Sequence, residues 1–525
     1  MRSFNTAGPV KPDKHYCIPP LERIDLDEVL RLVRDERYFV LHAPRQTGKT
    51  SALLALAEVL NERGYRCVYV TFETARTARD DVQRAMRTVL AALASRARAT
   101  LDDGFLDDIW PDVLARVGPD LALGEALSRW AQALPGPLVL LIDEIDTLVG
   151  DSLLSVLQQL RAGYPTRPER FPHSVVLCGM RDLRDYRMGA AGSPFNIAAK
   201  SLRLGDFTRG QTLALLAQHT EQTGQAFTPE ALEAVWTQTR GQPWLVNALA
   251  YGVCFENKTL REDRSRTVTA DDVAAVREEL IVNRVTHLDY LADKLREDRV
   301  RRVIEPMLSG THRHTFTDRD IRYARDLGLL ARDAPLRVAN PIYAEVLPRE
   351  LAWVAQETLE LSPPRYVRAD GSLDAELLMA EFQDFFRRHS EHWRNRFAYE
   401  EAWPQLLLQA YLQRVVNGGG RIEREYALGS GRVDLLIVWP LADRVQEFVV
   451  ECKVVREHDG PERVVDEGVE QTARYVDRCA AEAGHLVVID RRENRSWEEK
   501  VSRTRRRSAH LRRGGGAVPV AVWGM

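Results

Sequence analysis

The 525-residue chain is poor in cysteine, and none of its six cysteines lies in a Cys-x-x-Cys pair. This spacing argues against a structural zinc site and fits a reducing compartment. No stretch approaches the roughly 20 apolar residues of a membrane helix, and the first residues lack the apolar run of a secretion signal. The net charge of −3 gives no overall basic character. We therefore expect a cytoplasmic protein without membrane contact, in which any nucleic-acid surface is local.

The length of the chain exceeds what one hydrophobic core supports, so we expect two to four domains. A hydrophobic content of 45% and a charged content of 28% are those of a globular protein. Over the first 200 residues, apolar strands alternate with helical periods, which predicts a doubly wound parallel sheet. The predicted strands are 38–42, 67–72, 138–142 and 174–178, and the predicted helices are 50–62 and 80–98.

A phosphate-binding loop is predicted between the first strand and the first helix, where the sequence reads Ala43-Pro44-Arg45-Gln46-Thr47-Gly48-Lys49-Thr50. Backbone N–H groups and a helix N-terminus converge on phosphate oxygens in such loops. Gly48 permits close approach, Lys49 reaches the β- and γ-phosphates, and Thr50 ligates Mg²⁺. Ala43 stands where a glycine is usual. The alternative is a chance Gly-Lys-Thr turn. The residues expected to bind ATP are Pro44, Arg45, Gln46, Thr47, Gly48, Lys49 and Thr50.

Two carboxylates, Asp143 and Glu144, follow the apolar strand 138–142. In a nucleotide-hydrolysing site, Asp143 would hold the Mg²⁺ shell and Glu144 would polarise the attacking water. The alternative is a pair of solvated acids after a strand. Together with the loop, these residues predict an ATPase.

Further motifs resemble the STAND branch of AAA+-related ATPases and, within it, the bacterial AAA-like ATP-binding domain, over about residues 8–355. The motifs are Tyr16, 175–181 (Val-Val-Leu-Cys-Gly-Met-Arg), 193–197 (Ser-Pro-Phe-Asn-Ile), 241–244 (Gly-Gln-Pro-Trp) and 339–343 (Ala-Asn-Pro-Ile-Tyr). The resemblance implies that Arg181 senses the γ-phosphate and that Pro243 lies near the nucleotide in a helical lid. It also implies an ATP-bound open state and an ADP-bound closed state. Homo-oligomerisation on ATP binding and an unidentified protein trigger are further expectations about partners, and the sequence leaves the oligomeric state open. Arg181 as a plain surface arginine stays open.

A second candidate site lies near the end of the chain. Asp434 begins one predicted strand, 432–439, and Glu451 and Lys453 share one face of the next, 446–452, at spacing i, i+2. Two carboxylates can hold Mg²⁺ or Mn²⁺, while a lysine orients or deprotonates water. The pattern predicts phosphodiester hydrolysis. The alternative is a solvated strand face with Asp434 capping a turn.

These residues resemble the PD-(D/E)XK restriction-endonuclease-like superfamily over about 381–525. An upstream acid, Glu400 or Glu401, and the pair Gln471 and Tyr475 on a following helix belong to the resemblance, whereas Val433 stands where a proline is usual. The resemblance implies an endonuclease acting on nucleic acid, with DNA as the expected partner, or a degenerate fold without activity. The implied catalytic residues are Asp434, Glu451, Lys453 and Gln471, of which Asp434 and Glu451 bind the metal.

The sequence thus predicts an α/β chain with four regions. These are an AAA-like P-loop core (1–205), a helical lid (206–285), a winged-helix-like module (286–360) and a second α/β, nuclease-like domain (361–525). The main hypothesis is an ATP-driven STAND-type switch that controls a metal-dependent nuclease. The alternatives are a signalling scaffold whose C-terminal domain does not cut, and a DNA translocase or repair ATPase in which the nuclease is primary. The basic residues 503–507 and 512–513 contact phosphates or form a solvated loop.

Overall fold

The computed structural model describes most of the 525 residues. The residues outside the description are 182–199, 283–285, 296, 309–316, 348–365, 395–407, 409–410, 413–419, 429–430, 442–443, 456–459, 491, 493–494 and 512–516.

The chain divides into two compact units. The first comprises Met1–Leu288 and Ile321–Ala344, and the second comprises Asp289–Asp320 and Glu345–Met525. The finer boundaries at 205, 285 and 360 stay predictions.

The first unit contains a five-stranded sheet in which every pair of neighbouring strands is parallel. The strands are β1 (Phe39–His42), β2 (Arg66–Thr71), β3 (Leu138–Asp143), β4 (Ser174–Gly179) and β5 (Lys200–Arg203). Their order across the sheet is β2-β3-β4-β1-β5. The predicted parallel sheet is confirmed. The fifth strand was not predicted, because its sequence Lys-Ser-Leu-Arg has no apolar run.

Helices cover the sheet on both faces. They are α1 (Leu26–Arg34), α2 (Lys49–Glu62), α3 (Val82–Leu101), α4 (Phe105–Val117), α5 (Pro119–Ala133) and α6 (Gly150–Gly163). Every residue of β3 and β4 is buried, as expected of central parallel strands. One core packs α3 to α6 on one face and a second packs α1 and α2 on the other. The carboxyl ends of the central strands therefore share one edge of the sheet.

A group of short helices, here called the lid, follows β5. It consists of α7 (Arg209–Thr223), α8 (Pro229–Thr239), α9 (Pro243–Tyr251), α10 (Lys258–Glu262) and α11 (Ala270–Val282). Thr208 caps α7 in a reciprocal capping box with Gln211, and Thr228 caps α8. These caps explain why the helices begin where they do. None of the described helices has the length and apolar character needed to cross a bilayer.

Three further helices, α12 (Thr286–Leu295), α13 (Asp298–Leu308) and α14 (Asp318–Asp326), lie in the stretch predicted as a winged helix. After α14, Leu330 and Val338 form an isolated antiparallel bridge, and a helical segment covers 341–347. Residues 321–344 belong to the first unit.

The second unit contains a six-stranded mixed sheet of order β10-β11-β9-β8-β7-β6. Its strands are β6 (Arg421–Leu428), β7 (Gly431–Pro440), β8 (Val445–Val455), β9 (Ala483–Asp490), β10 (Ser502–Leu511) and β11 (Ala517–Gly524). Its helices are α15 (Ala375–Arg394), α16 (Pro461–Cys479) and α17 (Trp497–Lys500). Alternate residues of the central strands pack against α15 on one face and α16 on the other. A second α/β unit is therefore present, and a restriction-endonuclease-like fold is not established by it.

The basic stretch 503–507 is largely exposed, as expected, but it lies in strand β10 and not in a loop. Its arginines are paired with acids: Arg503 and Arg505 donate to Glu376, and Arg506 donates to Glu462 and Asp466. These partners hold an exposed strand against the neighbouring helices. Residues 512 and 513 lie outside the described part.

Candidate nucleotide site and C-terminal acidic site

The loop between β1 and α2 has the backbone shape of an anion cradle. Gln46 and Gly48 have left-handed φ angles of 56° and 85°. A Cβ on Gly48 would lie 3.1 Å from an Nη atom of Arg23, so glycine fits both the angle and the close approach. The first N–H groups of α2 have no partner within the helix. The loop and the helix N-terminus can thus present several N–H donors to one phosphate.

The side chain of Lys49 lies inside this loop. It is buried, with 5% exposure, and its Nζ donates to the carbonyl oxygens of Ala43 and Pro44, both at 3.1 Å. The Thr47 hydroxyl donates to the same Pro44 oxygen at 2.7 Å. A buried ammonium whose hydrogen bonds go to neutral carbonyls gains from anionic oxygens, which make stronger hydrogen bonds. Phosphate oxygens would replace the two carbonyls.

Thr50 and Asp143 meet directly. The Thr50 hydroxyl donates to Asp143 Oδ2 at 2.7 Å, and Tyr69 donates to the same oxygen at 3.1 Å. Burial, together with Asp143, raises the pKa of Tyr69, so this residue stays a donor. Hydroxyl and carboxylate oxygens are the ligands that Mg²⁺ prefers. The chemistry of this donor set fits Mg²⁺ beside a nucleotide.

Glu144 follows Asp143 in a strained conformation, with φ 54°. Its N–H donates to Asp143 Oδ1 at 2.9 Å, which fixes the turn. Burial raises the pKa of Glu144, while Lys49 and Arg45 oppose the rise, and Asp146 and Asp143 add to it. A carboxylate with a raised pKa is a better proton acceptor for a water molecule.

Arg181 follows β4, which lies between β1 and β3 in the sheet. Its guanidinium carbon lies 5.6 Å from the ring centroid of Tyr323. The N–H of Met180 donates to Asp146 Oδ2 at 2.8 Å. Arg181 thus leaves the sheet between the strand that precedes the loop and the strand that carries the acids.

Pro243 begins helix α9 of the lid and is buried. The Gln242 side chain caps this helix, accepting from Leu245 N at 2.6 Å. Gly241 has φ 78°, and a Cβ there would lie 1.9 Å from the Phe207 carbonyl oxygen. The Gly-x-Pro turn therefore packs directly against the segment between β5 and α7.

Residues 5–10, here called the strap, connect the lid to helix α2. Asn5 N donates to Asn247 Oδ1, and Trp244 Nε1 donates to the Thr6 carbonyl, both at 3.0 Å. Val10 N donates to Ser51 Oγ at 3.0 Å. One end of the strap is therefore bound to α9 and the other to the first turn of α2.

In the second unit, Glu451 and Lys453 form an ion pair on β8. Glu451 is 1% exposed, and Lys453 Nζ lies 3.0 Å from its Oε1. A Cβ on Gly468 of α16 would lie 3.3 Å from Lys453 Cγ, so the lysine stem packs against that helix. On the same helix, Gln471 donates to the Tyr475 hydroxyl at 3.2 Å.

Continuing the β7–β8 register by one residue would pair Asp434 with Glu451. The last described pair of the β7–β8 ladder at this end is Leu435 with Val450, and Asp434 and Glu451 are the next residue on each strand. The Asp434 side chain, like Glu400 and Glu401, lies outside the described part. Among the side chains that are described, no group of three His, Cys, Asp or Glu residues could hold a metal ion.

One family model covers the loop and the sheet of the first unit. Residues 20–273 match the AAA-like domain family. The N-terminal part of the chain thus contains an AAA-like P-loop NTPase domain. A search of curated proteins gives no match.

Solved structures that align with the chain include a Walker-type ATPase, PABY2304, of Pyrococcus abyssi (13% identity, TM-score 0.45, covering 66% of this chain and 99% of that one). Others are the Aeropyrum pernix ORC1 protein in complex with DNA (14%, 0.35, 65% and 95%) and the Thermotoga maritima RuvB Holliday junction branch migration motor (15%, 0.33, 66% and 99%). At these identities and scores the likenesses carry no information on activity.

In the AAA-like domain, the structure brings Lys49, Thr50, Asp143 and Glu144 to one edge of the sheet. Sequence reasoning missed Tyr69 and Asp146. The spacing Asp-Glu-x-Asp was a signal for Asp146. Tyr69 gave none, because its contact with Asp143 comes from the pairing of β2 with β3.

Proposed function

We propose that the chain is an ATP-hydrolysing switch of STAND type whose nucleotide state controls a metal-dependent nuclease in its second unit. The observation that carries the ATPase half is the 2.7 Å hydrogen bond from Thr50 to Asp143, beside a lysine folded into the loop. These groups come from two separate strand ends, and they meet where the phosphates and Mg²⁺ of a nucleotide would lie.

In the proposed ATP site, Lys49 exchanges its two loop carbonyls for β- and γ-phosphate oxygens. Thr50 and Asp143 would hold Mg²⁺, which neutralises charge on the phosphates when bound. Glu144 orients water and accepts its proton, aided by the burial that raises its pKa. Arg181 responds to the γ-phosphate. The remaining cradle residues, expected from the sequence, are Pro44, Arg45, Gln46, Thr47, Gly48 and Pro243.

The nuclease half is supported by the buried Glu451 with its lysine and by the register of β7 on β8. Asp434 and Glu451 would hold Mg²⁺ or Mn²⁺, which stabilises charge on a scissile phosphate when bound. Lys453 orients or deprotonates water, and Gln471 acts beside it from α16. The proposed substrate is nucleic acid, with DNA first.

The switch is proposed to use the helical segments after the lid as a winged-helix joint, to homo-oligomerise on ATP binding and to respond to a protein trigger. Packing of residues 321–344 in the same compact unit as the loop supports such a joint. A Cβ on Gly328 would lie 2.8 Å from Pro44, so this segment contacts the loop itself.

The ATPase half is tested by nucleotide binding to Lys49→Ala, with Lys200→Ala as the control. Lys200 is an exposed lysine at the start of β5, paired with Glu28. Loss of a charge-assisted contact of about 2–3 kcal/mol lowers ATP affinity by about 30- to 150-fold. Titration calorimetry with Mg²⁺–ATP measures this. Equal affinity of wild type and Lys49→Ala contradicts the assignment.

The nuclease half is tested by cleavage of DNA and RNA with Mg²⁺ or Mn²⁺, comparing wild type, Asp434→Ala and Lys453→Ala. Lys500→Ala is the control, since this lysine lies on α17, outside the proposed site. We expect cleavage by wild type and the control only. Equal cleavage by all four proteins refutes the site. No cleavage by any of them, with ATP hydrolysis intact, favours the scaffold that binds without cutting.

A DNA translocase is distinguished by the ATPase rate. A translocase hydrolyses ATP much faster when DNA is added, whereas the proposed switch turns over slowly with or without it. Strong stimulation by DNA in the absence of any protein trigger would therefore overturn the switch.

A further inference from the structure

Asp146 is a buried acid next to the proposed ATP site that the mechanism above does not use. It lies in the short helical turn after β3, three residues beyond Asp143, with 8% exposure. Its Oδ2 accepts the Met180 N–H at 2.8 Å, from the chain leaving β4. The Asp146 carboxylate thus connects the segments that follow the two neighbouring central strands β3 and β4.

The sequence at the end of β4 makes room for this contact. A Cβ on Gly179 would lie 3.0 Å from Asp146 Oδ1 and 3.1 Å from its Cγ. Real Cβ atoms rarely come this close to a carboxylate that cannot move. Glycine at 179 therefore lets the carboxylate reach the Met180 N–H.

The surroundings of Asp146 are unfavourable for the stability of the fold. Asp146 Oδ1 is buried and has no hydrogen-bond partner among the described residues. Two other acids, Asp143 and Glu144, lie close by. A buried carboxylate with an unsatisfied oxygen and like charges nearby costs folding free energy. Residues that lower stability in this way are typical of functional sites.

We propose that Asp146 is a positioning residue for ATP hydrolysis, which holds the chain after β4, and with it Arg181, in register with Glu144. The proposal rests on the proposed ATPase function. Glu144 would act on the attacking water and Arg181 on the γ-phosphate, so their separation decides whether both reach the same reacting group. The Asp146–Met180 hydrogen bond sets that separation through the backbone, since Asp146 lies two residues after Glu144 and Met180 lies one residue before Arg181.

The test compares ATP hydrolysis by the full chain in wild type, Asp146→Ala and Asp146→Asn. Removing the acceptor is expected to lower kcat about a hundredfold, the effect of a misplaced group, with KM for ATP changed less than about threefold. Asparagine keeps an acceptor oxygen for Met180 N–H, so Asp146→Asn should recover kcat to within about fivefold of wild type.

Two further variants complete the design. Gly179→Ala crowds the carboxylate from the other side and should lower kcat while leaving the charge in place. Asp81→Asn is the control, because Asp81 also accepts a backbone N–H, from Arg84, but at the exposed start of α3. It should leave kcat unchanged.

Hydrogen exchange of peptides that contain Met180 provides a readout independent of ATP. This amide should exchange about fivefold faster in Asp146→Ala and not in Asp146→Asn. Unchanged kcat in Asp146→Ala, or equal loss in Asp146→Ala and Asp146→Asn, overturns the inference while leaving the ATPase in place. A wild type that neither binds nor hydrolyses ATP refutes the proposed function and the inference with it. Exchange then still shows whether the contact exists in solution.

Discussion

Replacing Gly241 by alanine should destabilise the AAA-like domain far more than a geometrically similar change elsewhere in the lid. Gly241 has φ 78°, and its added Cβ would lie 1.9 Å from the Phe207 carbonyl oxygen and 2.9 Å from a ring carbon of Trp236. Its own carbonyl accepts the Phe207 N–H at 2.8 Å. Gly224, at the end of α7, has φ 77° with nothing within 4 Å of the added Cβ. The two positions share the backbone angle and differ in space.

The magnitude follows from that difference. Both substitutions place alanine in the left-handed region, at about 1–2 kcal/mol. Gly241→Ala must also separate two backbone segments, which costs about 1–3 kcal/mol for crowding and about 1 kcal/mol for the strained hydrogen bond. We therefore expect a loss of about 3–6 kcal/mol for Gly241→Ala and of about 1–2 kcal/mol for Gly224→Ala.

The assay is urea-induced unfolding, monitored by hydrogen exchange of peptides from residues 209–251. These peptides assign the unfolding transition to the lid. Equal losses of unfolding free energy in the two variants would show that the left-handed angle alone matters. That result would refute the close approach of Gly241 to Phe207.

Three shorter predictions concern the two units separately. Glu144→Gln should bind ATP as wild type does but hydrolyse it at least about a hundredfold more slowly, measured as phosphate release; an unchanged rate removes this residue from its role. Chelation of Mg²⁺ by EDTA should stop hydrolysis, and persistence of turnover would contradict the Thr50–Asp143 metal site. Burial lowers the pKa of His485 from 6.5 to about 4. Between pH 6.5 and pH 4, the imidazole of His485 is protonated in the unfolded chain but not in the folded one. Its contribution to the free energy of unfolding, about 3 kcal/mol, is therefore present above pH 6.5 and is lost as the pH falls toward 4. His485→Asn, which keeps an acceptor for Trp523 Nε1, should flatten that pH dependence of urea unfolding, and the same slope in both proteins would contradict the buried neutral imidazole.

The sequence predicted the parts of the fold whose signals are local. The apolar strand before the loop, the helix after it and the buried strand ending in Asp143 and Glu144 all appear within one or two residues of their predicted bounds. Strand β10 was missed, because its exposed arginines carry no alternating apolar pattern and are held instead by acids distant in sequence.

The site was predicted to the extent that its chemistry lies in contiguous motifs. Lys49 and Thr50 are recognisable by spacing alone. The contacts of Tyr69 with Asp143 and of Asp146 with Met180 form only when neighbouring strands pair, and neither sequence segment alone predicts that pairing. For the second unit, the proposed pairing of Asp434 with Glu451 comes from extending the β7–β8 register by one residue beyond Leu435 and Val450.

The strap sets a mechanical limit on how far the lid can swing. Four residue steps separate Thr6, bound to Trp244, from Val10, bound to Ser51. A fully stretched chain of that length reaches about 14 Å. Any opening that carries these two attachment points farther apart has to break one of them, so a wider opening of the lid begins with loss of the strap's hydrogen bond to α2 or to α9.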